Sequence, residues 1–124
     1  WQWLDPLASL LISVVILIGT WRLLRNSLRL ALAAAPESID PDAVRRYLCG
    51  LPEVSEVHDL HIWAMSTTET ALTCHLVTPQ GHPGDDFLHR VAHELEEKFD
   101  IGHTTVQIEL TETAACQLRP DHVV

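Results

Sequence analysis

The chain has 124 residues, with eight Lys or Arg against seventeen Asp or Glu and a net charge of −9. The charge is divided: residues 1–36 carry Arg22, Arg25 and Arg29 against Asp5, whereas residues 37–124 hold five basic and sixteen acidic groups. A C-terminal part this acidic repels phosphate backbones, so the composition argues against nucleic-acid binding.

From Pro6 to Trp21 no residue is charged. Sixteen helical residues span about 24 Å, against about 30 Å for a bilayer core. Trp1 and Trp3 at one end, and Trp21 with snorkelling Arg22 and Arg25 at the other, supply the remainder. Asp5-Pro6 reads as a helix start, Asp5 capping and Pro6 first in the helix. Arg22, Arg25 and Arg29 follow the apolar run, opposite to the order in a signal peptide. The positive-inside rule places that end, and whatever follows it, in the cytoplasm. The same arginines can lie against anionic lipid headgroups. A membrane stretch that opens near residue 1 predicts the C-terminal end of a longer membrane protein.

Residues 1–35 are expected to form the membrane helix and a juxtamembrane helical extension, and 36–41 a linker. Pro36 ends the first helix, and Asp40-Pro41 starts a second that Gly50 and Pro52 stop. Val44, Tyr47 and Leu48 share a face of it. Val57–Met65 and Thr70–Thr78, apolar and β-branched, predict two strands joined by a hairpin at Ser66–Glu69. After a Pro- and Gly-containing loop, Asp85-Asp86 opens a helix whose apolar stripe is Phe87, Leu88, Val91, Ala92, Leu95 and Phe99, and which ends at Gly102. Thr104–Leu110 predicts a third strand, with Val106, Ile108 and Leu110 inward. The expected class is α+β: a transmembrane helix, then an α-β-β-α-β domain over 42–112 with both helices on one sheet face. Strands one and three are the expected neighbours. Residues 113–124 read as a flexible tail. So small a core leaves the other sheet face for an interface such as a dimer.

All eight histidines lie in the acidic part: His58, His61, His75, His82, His89, His93, His103 and His122. Imidazole is a common ligand for zinc and its neighbours. Such a module joined to a membrane helix points to handling of a divalent metal at a membrane. No linear spacing builds a tetrahedral site here, so ligands must converge in space. In a regular strand His58 and His61, three apart, point to opposite faces. His75 shares a face with Ala71, Thr73 and Val77, while Cys74 joins Leu72 and Leu76 in the core. His89 and His93, four apart on a helix, share a face. Cys49, Cys74 and Cys116 form no CxxC pair, which excludes a zinc ribbon and fits reduced cytosolic thiols. Cys116, in the tail, is a further possible ligand. There is no nucleophile elbow, glycine-rich phosphate loop or HExxH, so nothing marks an enzyme.

Three segments, in this order, resemble the cation diffusion facilitators, exporters of zinc and related divalent ions. Asp5-Pro6-Leu7-Ala8-Ser9-Leu10-Leu11-Ile12 is similar to the start of the family's last transmembrane helix, Val57-His58-Asp59-Leu60-His61-Ile62-Trp63 to the first strand of its cytoplasmic domain, and Thr105-Val106-Gln107-Ile108-Glu109 to the last strand. The resemblance implies a metallochaperone-like domain that dimerises, in a proton-coupled transporter whose transport site lies on two other helices, outside these residues. It implies that His58, His75, Glu109 and His89 fall on ligand positions for Zn2+ or another divalent ion, and that His61 and His103 match positions carrying histidine in some members. Gln107 stands where some members place a histidine, and glutamine is a poor zinc ligand, which weighs against a two-metal site. A dimerisation module that binds no metal is the alternative reading.

Overall fold

The computed structural model describes residues 2–110. The tail expected over 113–124, with Cys116 and His122, lies outside them. The chain divides into two compact units, Trp1–Ala33 and Ala34–Val124.

The first unit is one helix, α1 (Leu4–Ala31), of 28 residues, about 42 Å long at 1.5 Å per residue. It is long and apolar enough to cross a membrane, and none of its residues is buried. The helix starts before Asp5, so Asp5 does not cap it. Trp3 is the N-cap residue, and its carbonyl accepts the Leu7 N–H at 3.2 Å. Asp5 sits instead in the first turn, where a carboxylate still faces the positive end of the helix dipole. Pro6 there lacks an N–H that would have had no helical partner. The hydroxyls of Ser13 and Thr20 donate to the Ser9 and Ile16 carbonyls, both at 2.8 Å, so neither needs water.

The second unit contains α2 (Pro41–Cys49), β1 (Glu56–Ala64), β2 (Thr70–Val77), α3 (Asp85–Phe99) and β3 (His103–Glu109). Asp40 caps α2, its carboxylate accepting the Asp42 N–H at 3.0 Å. In the hairpin, Ser66 Oγ accepts the N–H groups of Thr68 and Glu69 at 3.2 and 3.1 Å. Gly84, at φ 87°, turns the chain into α3, and Asp85 and Asp86 occupy its first turn. The end of α3 departs from expectation. Asp100, not a glycine, takes the left-handed position, at φ 58°. Its N–H bonds to the Glu96 carbonyl at 3.0 Å and that of Ile101 to the Leu95 carbonyl at 3.3 Å, so the last turn is closed before Gly102.

The sheet order is β1-β2-β3. Strands one and three are therefore not neighbours, contrary to expectation. The short hairpin pins β1 antiparallel on one side of β2. The α3 crossover then carries β3 parallel to β2 on the free side. Leu72, Cys74 and Leu76 of β2 face a core formed with Val44 and Leu48 of α2 and Phe87, Val91 and Leu95 of α3. Both helices thus cover one sheet face. Val106 and Ile108 pack against this core, but Leu110 lies past the end of β3 and is exposed. The opposite face carries His75, and the pairing sets His58 across from it.

Candidate metal centre

Each strand contributes one side chain to a cluster on the sheet face turned from the helices. His58 of β1 is registered with His75 of β2, and Glu109 of β3 with Val77, one alternation along the same face. One ligand atom from each of His58, His75 and Glu109 lies within 4.8 Å of the other two. Glu109 Oε1 is the hub, 2.9 Å from His75 Nδ1 and 3.4 Å from His58 Nε2. Gln107 Nε2 donates to the same oxygen at 3.2 Å. The imidazole rings are 5.2 Å apart, edge to face.

His58 is 2% exposed, and among the described residues neither ring nitrogen has a hydrogen-bond partner. The Glu109 oxygen is near enough for an electrostatic contact but lacks hydrogen-bond geometry, and Glu56 Oε1 at 3.8 Å is too far from Nδ1. A buried imidazole left so costs free energy. Two imidazole nitrogens and a carboxylate oxygen converging on one point are the donors of a zinc-type site, and a metal ion there would satisfy the orphaned Nε2. The residues present therefore fit a divalent transition metal.

A β-bulge shapes this face. The register runs His58↔His75 and then His61↔Thr73, so β1 holds an extra residue between them. His58 and His61, expected on opposite faces of a regular strand, thus share one. Asp59 sits in the bulge at φ 50°. Its Oδ1 is 2.9 Å from His61 Nε2 and its Oδ2 3.5 Å from His75 Nε2. The ligand positions implied by the resemblance include neither Asp59 nor Glu56. An aspartate, tolerant of left-handed backbone, between histidines spaced by three was the signal available.

Of the six residues implied by the resemblance, the structure brings His58, His75 and Glu109 together. His61 stands beside them, bonded to Asp59 rather than in the three-residue group. His89 is exposed on α3 and is not in the group. His103 pairs with Ala71 at the other end of β3, with Nε2 3.7 Å from Glu69 Oε2.

Residues 36–111 match the family described as cation efflux protein, cytoplasmic domain. The chain is 37% identical over 111 residues to the metal cation efflux system protein CzcD of Cupriavidus metallidurans, covering 89% of this chain and 35% of that one. It is 36% identical over 110 residues to the zinc transporter ZitB of Escherichia coli, covering 88% and 35%. To the cadmium, cobalt and zinc/H(+)-K(+) antiporter of Bacillus subtilis it is 33% identical over 112 residues, covering 88% and 36%. The chain thus spans about a third of the length of these relatives. Among solved structures, the metal-bound C-terminal domain of the C. metallidurans CzcD transporter superposes with a TM-score of 0.53 at 37% identity, covering 58% of this chain and all of that domain. With that model matched over residues 36–111 and the relatives' identity beside it, the chain belongs to the cation efflux protein family, and residues 36–111 are its cytoplasmic domain.

Proposed function

We propose that the chain is the C-terminal part of a proton-coupled divalent metal exporter, with zinc as the leading cargo. Its cytoplasmic domain dimerises and binds cytosolic metal through His58, His75 and Glu109, and binding favours the closed dimer. The observation that carries this reading is His58, buried beside His75 Nδ1 and Glu109 Oε1 with neither nitrogen hydrogen-bonded among the described residues. The relatives named for zinc, cadmium and cobalt support the cargo class, and the antiporter among them supports proton coupling. The metal-bound relative domain supports a site here. A ligand shifts a two-state equilibrium only by its differential affinity, and a tenfold preference needs about 1.4 kcal/mol, within reach of one coordinated ion. Within one copy His89 and His103 lie outside the cluster, so ligation by either calls for a second copy.

Calorimetric titration of the 124-residue chain with zinc, in detergent micelles, tests this, with cross-linking before and after metal. Micromolar or tighter binding, lost in His58→Ala and His75→Ala, with more cross-linked dimer in zinc, is the expected result. Unchanged affinity in both variants would reject the ligand set. The alternative, a clamp that ignores metal, is favoured by the His75–Glu109 contact already made at 2.9 Å. It predicts a dimer indifferent to zinc.

A further inference from the structure

His75 presents both ring nitrogens to carboxylates. Nδ1 faces Glu109 Oε1 inside the candidate metal centre, and Nε2 faces Asp59 Oδ2, 3.5 Å away, outside it. Asp59 is itself held in place, its other oxygen 2.9 Å from His61 Nε2 and its side chain 13% exposed. It is also the residue with φ 50° in the bulge between His58 and His61. In a regular strand the residue after His58 would point to the helix-covered face. The left-handed turn instead swings its carboxylate to the histidine side, at a backbone cost that aspartate tolerates better than most residues. Both the bulge and His61 thus serve to aim one carboxylate at the back of His75.

A metal-ligating histidine commonly passes its second N–H to a carboxylate, which fixes tautomer and ring plane and strengthens the donor nitrogen. We propose that Asp59 is a positioning residue for the metal centre: in the metal-free chain His75 Nδ1–H donates to Glu109 Oε1, and when a divalent transition-metal ion takes the place of that proton Asp59 accepts the N–H of Nε2, so that Nδ1 ligates the ion together with His58 and Glu109. This rests on the reading of that cluster as a metal site. His61, in turn, steadies Asp59 and is not itself a ligand. The 3.5 Å separation is longer than a good hydrogen bond and is expected to shorten on loading.

The test uses the full chain in detergent micelles, Zn2+ as the probe, and the variants Asp59→Asn and Asp59→Gly. Asparagine and glycine both accept the left-handed backbone, so the bulge is kept while the carboxylate is lost. Both variants are expected to lose about 10–100-fold in zinc affinity, the usual effect of removing such a partner, with no fall in the metal-free thermal midpoint. In the zinc-loaded wild type, the imidazole nitrogen spectrum of His75 is expected to show metal at Nδ1 and a proton at Nε2. Wild-type affinity in both variants would overturn the proposal, as would His75 bound through Nε2. So would a fall in the metal-free midpoint that accounts for the lost affinity, which would assign Asp59 to the fold. His58→Ala separates the two readings. If it abolishes binding while both Asp59 variants bind normally, the metal site stands and the role of Asp59 falls. If it too binds normally, the site reading fails and this proposal with it.

Discussion

His58 stands directly across the antiparallel ladder from His75, edge to face at 5.2 Å, and Glu109 reaches both from the far side of β2. The cluster therefore depends on β2 being the central strand. One residue from each of three strands reaches one point only because β1 and β3 flank it.

The first prediction concerns the cost of holding that cluster without metal. His58 is buried, and among the described residues neither ring nitrogen is hydrogen-bonded. Leaving a buried polar group unsatisfied costs about 1–3 kcal/mol. His58→Leu, of similar volume, is expected to raise metal-free stability by about 1 kcal/mol. That corresponds to a midpoint shift of roughly 4–8 °C for a domain of this size. The zinc-dependent rise in midpoint is expected to disappear in the same variant. Melts followed by circular dichroism with and without zinc check both, and a zinc shift surviving in His58→Leu would count against the ligand set.

The core was legible because it is periodic. Phe87, Val91 and Leu95 at helical spacing, and Leu72, Cys74 and Leu76 at strand spacing, are all buried as their patterns require. What the sequence hid is non-local or non-periodic. The partner of β3 is decided by which side of β2 the hairpin leaves free, and no residue within β3 encodes that. Counting by twos sets His58 and His61 on opposite faces, and one left-handed aspartate undoes the count. His58, His75 and Glu109 were visible as ligand types and through the resemblance, but their convergence needed the register. The end of α3 misled for a related reason: Gly102 is the obvious stop, yet Asp100 takes the left-handed position two residues earlier.

The second prediction uses that helix end. Asp100, at φ 58°, is exposed, and its backbone N–H bond survives any side chain but proline. A non-glycine residue there costs about 1–2 kcal/mol, and glycine gives part of that back through its freer unfolded chain, about 0.4–1 kcal/mol. Asp100→Gly is expected to stabilise the domain by about 0.5–1 kcal/mol on balance, measured by denaturant unfolding. A destabilised variant would mean that the Asp100 side chain holds the helix end by contacts of its own.

The third prediction separates core from edge. Leu95 is fully buried between α3 and the sheet, whereas Leu110, expected to point inward, is 51% exposed beyond β3. Leu95→Ala is expected to cost about 2–5 kcal/mol through lost contacts and a residual cavity. Leu110→Ala is expected to stay within about 0.5 kcal/mol. Unfolding of the two variants side by side tests the end of β3 directly, since a buried Leu110 would bring the two costs together.

The fourth prediction is read at alkaline pH. Tyr47 is the chain's one tyrosine. It packs from α2 on Phe99 of α3 at 5.7 Å, with Lys98 Nζ 4.9 Å from its ring centre and its hydroxyl oxygen buried. Burial first, and the Glu94 charge second, push the phenol from its ordinary value of 10.0 up to about 12. The folded state thus holds the proton more tightly than the unfolded chain. The stability this contributes is complete below pH 10.0 and is lost as pH climbs through about 12. Absorbance at the phenolate band is therefore expected to rise late in the folded chain and near the ordinary value in denaturant. Lysines titrate in the same range, so the quantity to compare is the pH slope of stability in wild type and Tyr47→Phe. The phenylalanine variant is expected to lack this component of the slope while keeping the tilted ring contact with Phe99. A phenol titrating at its ordinary value in the folded chain would show that the α2–α3 contact leaves the hydroxyl in water, and the slope difference would vanish with it.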